Sequence, residues 1–405
     1  MVGAALGAPQ EETGERRRMG RVCHGGSGHT TTAPSSSPHS TTERGNVRIG
    51  YLIDVNKGGY DQPLPSPDDA HRTLDLMIEE GIIAERAGFH SIQVPHRHGR
   101  TECYFPGPEQ LLTILARETD KVAIGTFTYV ATLYHPMRAA EQFAIIDNLS
   151  KGRLYTTMSR GYHAGYWGQF GIPQEKLLGR FLETIKIWQE AFKGERFDFD
   201  GKHWQVEQGL LTPGPYQQGG WPIWGGGNAS PEAIKRSATY GEAMTADPSP
   251  ILKEVWDERV AAYKEAAEER GKKPFVVLMR DGWVSDTFEE AAQQFGTHFV
   301  EEWKFYYRQG IFTGHPELRT EDDITPEKCA HHLVMGTPQQ CIEQLERYHE
   351  EYGVDYFTLR FRMPTGPSLE EAHEQIQRFG EEVVQPIHKK YPAPDHPALP
   401  EVCRW

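Results

Sequence analysis

The chain has 405 residues, of which 57 are acidic and 43 are Lys or Arg, for a formal charge of −14. A surface of that sign repels phosphodiester backbones and anionic lipid at range, so nucleic acid and membrane are excluded as partners and a small-molecule substrate is expected. An apolar fraction of 38% with 11% aromatic residues supports a large buried core rather than a disordered chain. No run approaches the roughly 18 consecutive apolar residues of a membrane span, and residues 1–20 lack the charge-then-apolar order of a secretory signal, so a cytoplasmic protein is expected. Cys23, Cys103, Cys329, Cys341 and Cys403 are scattered and never form a Cys-x-x-Cys pair. They read as reduced thiols, and the spacing points to no metal.

Residues 1–46 contain no Phe, Tyr or Trp and are dense in Gly, Ser, Thr, Pro and charge. Such a segment cannot bury enough surface to offset the entropy of ordering, so it is expected as a disordered extension, with His24, His29 and His39 on solvated polymer. From Val47 short β-rich runs alternate with amphipathic helices. The first strand falls at Arg48 to Ile53, and Ser66-Pro67-Asp68-Asp69 opens a helix that Ala87-Gly88 stops. Strands follow at Ser91 to Val94, Val122 to Thr126 and Arg153 to Met158, with helices at Gln110 to Thr119 and Pro136 to Leu149 between them.

A helix from Leu178 to Lys193 leads into a β-hairpin within Arg196 to Gln217, turning at Asp200-Gly201. Pro222 to Gly225, Glu242 to Thr245, Phe275 to Met279 and Asp355 to Phe361 complete eight strands. The helices among and after them start at Pro231, Ile251, Gly336 and Ser368. Asp286 to Met335 reads as an insertion, either a lid over the site or an oligomer surface. The fold class is α/β, a (β/α)8 TIM barrel over 47–390 with insertions, followed by a proline-rich tail over 391–405.

In such a barrel the site lies at the carboxyl ends of the strands. The loop after the second strand reads Pro95-His96-Arg97-His98-Gly99-Arg100, either a site or a solvated basic loop. Thr126 ends the third strand, and Ser159-Arg160-Gly161-Tyr162 follows the fourth, offering a close backbone approach, a cation for an anion and a ring for stacking. Gly226-Gly227-Asn228-Ala229-Ser230 runs into the helix at Pro231. That combination of small residues, a hydroxyl and a positive helix end suits phosphate, and equally suits a plain turn capped by Ser230. No Walker loop, nucleophile elbow or zincin helix is present, and the adjacent pair His331-His332 reads as surface. A cofactor that carries the chemistry itself is therefore expected.

Three segments resemble the bacterial luciferase-like flavin-dependent monooxygenases. They are Leu115 to Thr126 with His135-Pro136, Ala140-Glu141 and Asp147 to Arg153; Ser159 to Tyr162 with Phe170-Gly171-Ile172 and Arg180; and Leu211 to Pro215 with Gln217 and Pro222 to Gly227. The resemblance spans roughly 47–384. It implies a barrel that binds reduced FMN, or in some relatives the deazaflavin coenzyme F-420, with phosphate near Gly226 to Ser230 and Thr126 and Ser159 to Tyr162 beside the cofactor. It further implies oxidation of a small organic substrate by molecular oxygen through a flavin hydroperoxide, a flavin reductase as partner, and often a homo-dimer. His96, Arg97 and His98 are the catalytic candidates, although His-Arg-His stands where many relatives have paired histidines. Hydride transfer with the deazaflavin and a non-catalytic flavin-binding partner protein are the alternatives.

Overall fold

The computed structural model describes residues 45–404 apart from 61, 162–163, 228–229 and 311–314. The expected extension therefore lies, up to residue 44, outside the described residues, as do Tyr162, Asn228 and Ala229. Among the described residues the strands are β1 (Arg48–Leu52), β2 (Ser91–Val94), β3 (Ala123–Val130), β4 (Leu154–Ser159), β5 (Phe197–Asp200), β6 (Gln205–Gly209), β7 (Ile223–Gly225), β8 (Ala243–Ala246), β9 (Val276–Val284), β10 (Val334–Gly336) and β11 (Tyr356–Arg360). All neighbours in the series β1, β2, β3, β4, β7, β8, β9, β11 pair in parallel. β11 returns to β1 with Arg48 opposite Tyr356, which closes an eight-stranded (β/α)8 barrel. β5 and β6 form the expected antiparallel hairpin.

Local sequence explains the helix starts. Ser66 Oγ accepts the Asp69 N–H at 3.1 Å ahead of the helix Pro67–Arg86, with Pro67 in the first turn. Helices Pro136–Leu149, Pro231–Tyr240 and Pro338–Tyr352 open on proline in the same way. The last also carries a reciprocal Thr337–Gln340 capping box and stops at Gly353, whose φ is 66°.

Two strands outrun their sequence limits. β3 continues past Thr126 to Val130, and β9 past Met279 to Val284. In β9 Arg280 and Asp281, just beyond that limit, are buried within the strand. The overhang Gly282 to Val284 pairs with β10, a short strand that straddles the end of the expected insertion. The rest of that insertion begins with the helix Phe288–Arg308. His332 departs from its surface reading. It is 6% exposed, while His331 beside it is exposed. Burial, with Arg280 next to it, holds the His332 imidazole down at about 2.

Aromatic side chains fill the barrel interior. Tyr155 and Trp224 lie 4.2 Å apart between centroids, with Tyr356 and Phe275 against Trp224. A Cβ on Gly125 would stand 2.6 Å from the Tyr155 ring, so this position admits only hydrogen. The segment expected as a tail also belongs to this core. Ala398, Leu399 and Cys403 cluster with Leu52, Tyr155, Trp224 and Tyr356, and Trp224 Nε1 donates to the Ala398 carbonyl at 2.6 Å. His90 Nε2 donates to the Cys403 carbonyl at 2.7 Å, and His396 stacks on Phe275. Residues 396–403 thus plug the barrel end from which β2 and β9 start.

A chain stopped after Asp395 loses the burial of Leu399, about 1.5–3 kcal/mol, and leaves the Trp224 N–H without its acceptor, about 1–3 kcal/mol more. Its thermal midpoint is expected well below that of the parent by calorimetry. Acid acts on the same plug. Burial lowers His90 from 6.5 to about 4 and His396 to about 4, so the folded protein binds fewer protons than the unfolded chain between those values. This stability is complete above about 6.5 and is lost as pH falls toward about 4, by about 3 kcal/mol for His90 alone. Urea midpoints measured across that window should fall with pH, and His90→Gln should flatten the slope.

Candidate functional site

A cavity of about 440 Å³ opens at the carboxyl ends of the strands. His96 and Arg97 line it from the loop after β2, Phe127, Thr128 and Val130 from β3, and Ser159, Arg160 and Gly161 from the end of β4. Gly225 to Gly227, Ser230 and Arg236 line it from β7 and its helix, and Tyr306 and Arg360 complete the wall from the insertion helix and β11. The sequence therefore brings three separately chosen loops to one rim.

Val130 N–H donates to His96 Nδ1 at 3.1 Å, which assigns the ring proton of the neutral imidazole to Nε2. Nε2 stands 2.6 Å from Nε2 of His98, which is therefore the acceptor, with the Tyr134 hydroxyl 3.1 Å away. His96 lies between stacked rings, Tyr129 at 5.0 Å and Tyr134 at 5.7 Å. Burial first and the neighbouring His98 second hold His96 well below the ordinary histidine range, and burial lowers His98 too. His98 touches His96 and Phe170 but does not line the cavity.

Another part of the wall is built from small residues. Ser159 Oγ bonds Thr128 Oγ1 at 2.8 Å and accepts the Gly161 N–H at 3.2 Å, with Gly161 at φ 84°. Gly226 N–H donates to the Met158 carbonyl at 2.9 Å. A Cβ on Gly226 would meet Thr128 Cγ2 at 2.8 Å and Met158 O at 3.1 Å. Ser230 Oγ accepts the Ala233 N–H at 3.3 Å, so it caps the helix Pro231–Tyr240, whose positive end faces this wall. Arg160 and Arg236 stand close enough that, after burial, the Arg160 charge contributes to lowering Arg236. A bare strand edge, a helix start and two guanidinium groups together fit a phosphate monoester or diester.

Thr126 does not line the cavity. It sits inside the longer β3 with its hydroxyl accepting the Thr157 N–H at 3.1 Å and donating to the Thr157 carbonyl at 3.0 Å, and Thr128 occupies the cavity wall in its place.

Under the rim lies a knot of buried charge. Arg360 Nε meets Asp281 Oδ1 at 2.8 Å, and Arg360 Nη1 meets Asp54 at 3.2 Å and Glu302 at 3.7 Å. Trp303 Nε1 donates to Asp281 Oδ2 at 3.2 Å, and Arg362 pairs with Glu80 at 3.4 Å. Burial pushes the Asp54 carboxyl up, but Arg97, Arg360 and Arg362 outweigh it and hold the group below its usual range. Sequence reasoning missed this knot and also Thr128, Arg236 and Tyr306. The available signal was charge at strand ends: Asp54 after Tyr51-Leu52-Ile53, Arg280-Asp281 within an apolar run, and Arg360-Phe361-Arg362.

The sequence profile of the luciferase-like monooxygenases matches residues 55–355. The chain belongs to that family of flavin-dependent oxidoreductases. It is 27% identical over 326 residues, 76% of this chain and 89% of the other, to the oxygenase component of a flavin-dependent trigonelline monooxygenase from Acinetobacter baylyi. It is 24% identical over 301 residues, 67% and 84% of the two chains, to an F420-dependent glucose-6-phosphate dehydrogenase from Mycolicibacterium smegmatis. The fold matches the oxygenating constituent of 3,6-diketocamphane monooxygenase from Pseudomonas putida, solved with FMN, at a TM-score of 0.68 and 18% identity over 84% of this chain and 98% of that one. The family thus includes both FMN-dependent monooxygenases and F420-dependent dehydrogenases. Among the described residues no helix is long and apolar enough to cross a membrane.

Arg360→Met leaves Asp54, Asp281 and Glu302 buried without their shared cation. Equilibrium unfolding in urea should show a loss of about 3–5 kcal/mol.

Proposed function

We propose that the protein is the oxygenase of a two-component flavin monooxygenase, taking reduced FMN from a separate reductase and oxidising a small organic substrate. The observation that carries this reading is that Gly226, Gly227, Ser230, Arg160 and Arg236 line the same largely apolar cavity as His96. The residues present fit a flavin phosphate: nothing stands within 4 Å of where a Cβ on Gly227 would lie, which leaves bare backbone open to a ligand, and Arg160, Arg236 and a helix start line the same cavity. The reductase follows from the likeness to a protein named as an oxygenase component.

Reduced FMN bound there supplies the activation of molecular oxygen. The chain's own residues do the rest. Phe127, Val130, Met158, Tyr166 and Phe181 exclude water from the reaction space. Val130 fixes the His96 tautomer, and His96 and His98 share one proton between their Nε2 atoms. Burial makes a second proton on this pair easy to give up, which suits donation to a departing oxygen. Arg97 places a cation on the same wall.

The second reading, hydride transfer with the deazaflavin coenzyme F-420, rests on the likeness to the glucose-6-phosphate dehydrogenase. Anaerobic titration with each reduced cofactor separates the two, followed by oxygen uptake with a substrate panel headed by trigonelline. The expected result is FMN binding with oxygen consumption above the free-flavin rate. Retention of F-420 alone, without oxygen uptake, overturns it. Gly226→Val drives a Cβ into Thr128 Cγ2 and the Met158 carbonyl, so it should displace the seam between β4 and β7 and weaken FMN binding at least about tenfold, or about 1.4 kcal/mol. His96→Asn should keep binding and lower turnover by about 10²–10⁴.

A further inference from the structure

Outside the cavity, one cluster of metal-ligating side chains has no part in the reading above. His315 follows the insertion helix Phe288–Arg308, Glu317 stands two residues on, and His332 precedes β10. One ligand atom from each lies within 4.8 Å of the others. None of the three lines the cavity. His315 is 8% exposed and His332 6%, and their rings meet edge to face at 5.5 Å. Nε2 of each is buried with no hydrogen-bond partner. Two imidazole nitrogens left unsatisfied in one place call for a shared occupant, because each buried unmade bond costs free energy that a ligand there would recover. Glu317 is exposed, which gives the cluster both a carboxylate and a path from solvent.

We propose that His315, Glu317 and His332 bind a divalent transition cation of the zinc class. Two imidazoles and one carboxylate are the donor set that zinc accepts, with a water completing four-fold coordination. The surroundings select against hard cations. Arg280 packs over the Tyr348 ring at 4.8 Å, and Arg347 donates to the His331 carbonyl at 2.6 Å, so two fixed positive charges lie nearby. Calcium or magnesium, held by charge and oxygen, is repelled there, whereas an ion bound through nitrogen lone pairs tolerates them better. Binding has definite local costs. His315 Nδ1 now accepts the Glu317 N–H at 3.3 Å, and coordination through Nε2 moves the ring proton to Nδ1 and breaks that long bond. Glu317 also leaves His331, 3.4 Å away. The ion would tie the segment after the insertion helix to the start of β10.

The test is calorimetric titration of Zn²⁺ into the full chain, its His315→Ala variant and its Glu317→Gln variant. Competition with Mg²⁺ and the visible d–d bands of Co²⁺ provide a second readout. Residues 1–44, with their three histidines, are present in all three proteins and cancel in the comparison. The expected result is one tight site in the parent, absent from His315→Ala, weakened at least about tenfold in Glu317→Gln and insensitive to Mg²⁺. Intense four-coordinate Co²⁺ bands should appear in the parent and vanish on adding Zn²⁺. Glu317 is on the surface, so its variant reports even if loss of His315 disturbs folding. Equal uptake by all three proteins, or no uptake by the parent, overturns the proposal and leaves an ordinary water as the occupant.

Discussion

The guanidinium of Arg360 is the contact on which the upper half of the barrel depends. It reaches Asp54 beyond β1, Asp281 in β9 and Glu302 on the insertion helix, so one side chain from β11 joins the three neighbours that surround it. A cation and carboxylates so deeply buried are stable only together, since removing one member leaves the others desolvated without compensation. The arrangement fixes how far β9 extends and where the insertion helix lies. It thereby sets the position of Tyr306 on the cavity wall, four residues beyond Glu302 on that helix. Tyr60 adds a second tie, bonding Glu302 and stacking on Phe305 at 4.4 Å.

At the glycine-rich part of the cavity wall the constraint is of another kind. There Gly161 and Gly226 let Val130 and Thr128 pack against bare backbone, and Gly227 opens on empty space. The two walls divide the labour of the reading proposed above. One is rigid, charged and aromatic around His96. The other is backbone with a helix start and cations at its edge, which the proposed reading assigns to the phosphate end of a planar cofactor. Membership of a family that works with both FMN and F-420 agrees with a frame in which the phosphate wall is shared and the reacting wall varies.

The eight strands and their order were legible in the sequence because proline-led helices and short apolar runs punctuate the chain clearly, as at Ser66-Pro67 and Ser230-Pro231. So was the meeting of His96, Ser159 and Gly226 at one rim, since barrel geometry sends every strand end there. Strand lengths were not legible. Thr126 looked terminal because the letters after it are mixed, yet pairing with β4 carries β3 on to Val130. The expected strand stopped at Met279, just short of Arg280 and Asp281, whose partners are distant in sequence: Arg360 on β11 and Trp303 on the insertion helix for Asp281, and the Tyr348 ring for Arg280. His332 read as surface for a similar reason: nothing adjacent in sequence reveals His315. Long-range neutralisation of polar groups is the information a single chain of letters withholds.

The plug of residues 396–403 bears on how the molecule is assembled. These residues follow the eighth strand in the chain, yet they supply the acceptor for Trp224 and for His90 inside the ring. A ring of strands that closes before this segment arrives has an open, wet base with two unanswered donors. The interior therefore stays unfinished until a late stretch of chain packs beneath strands made long before it.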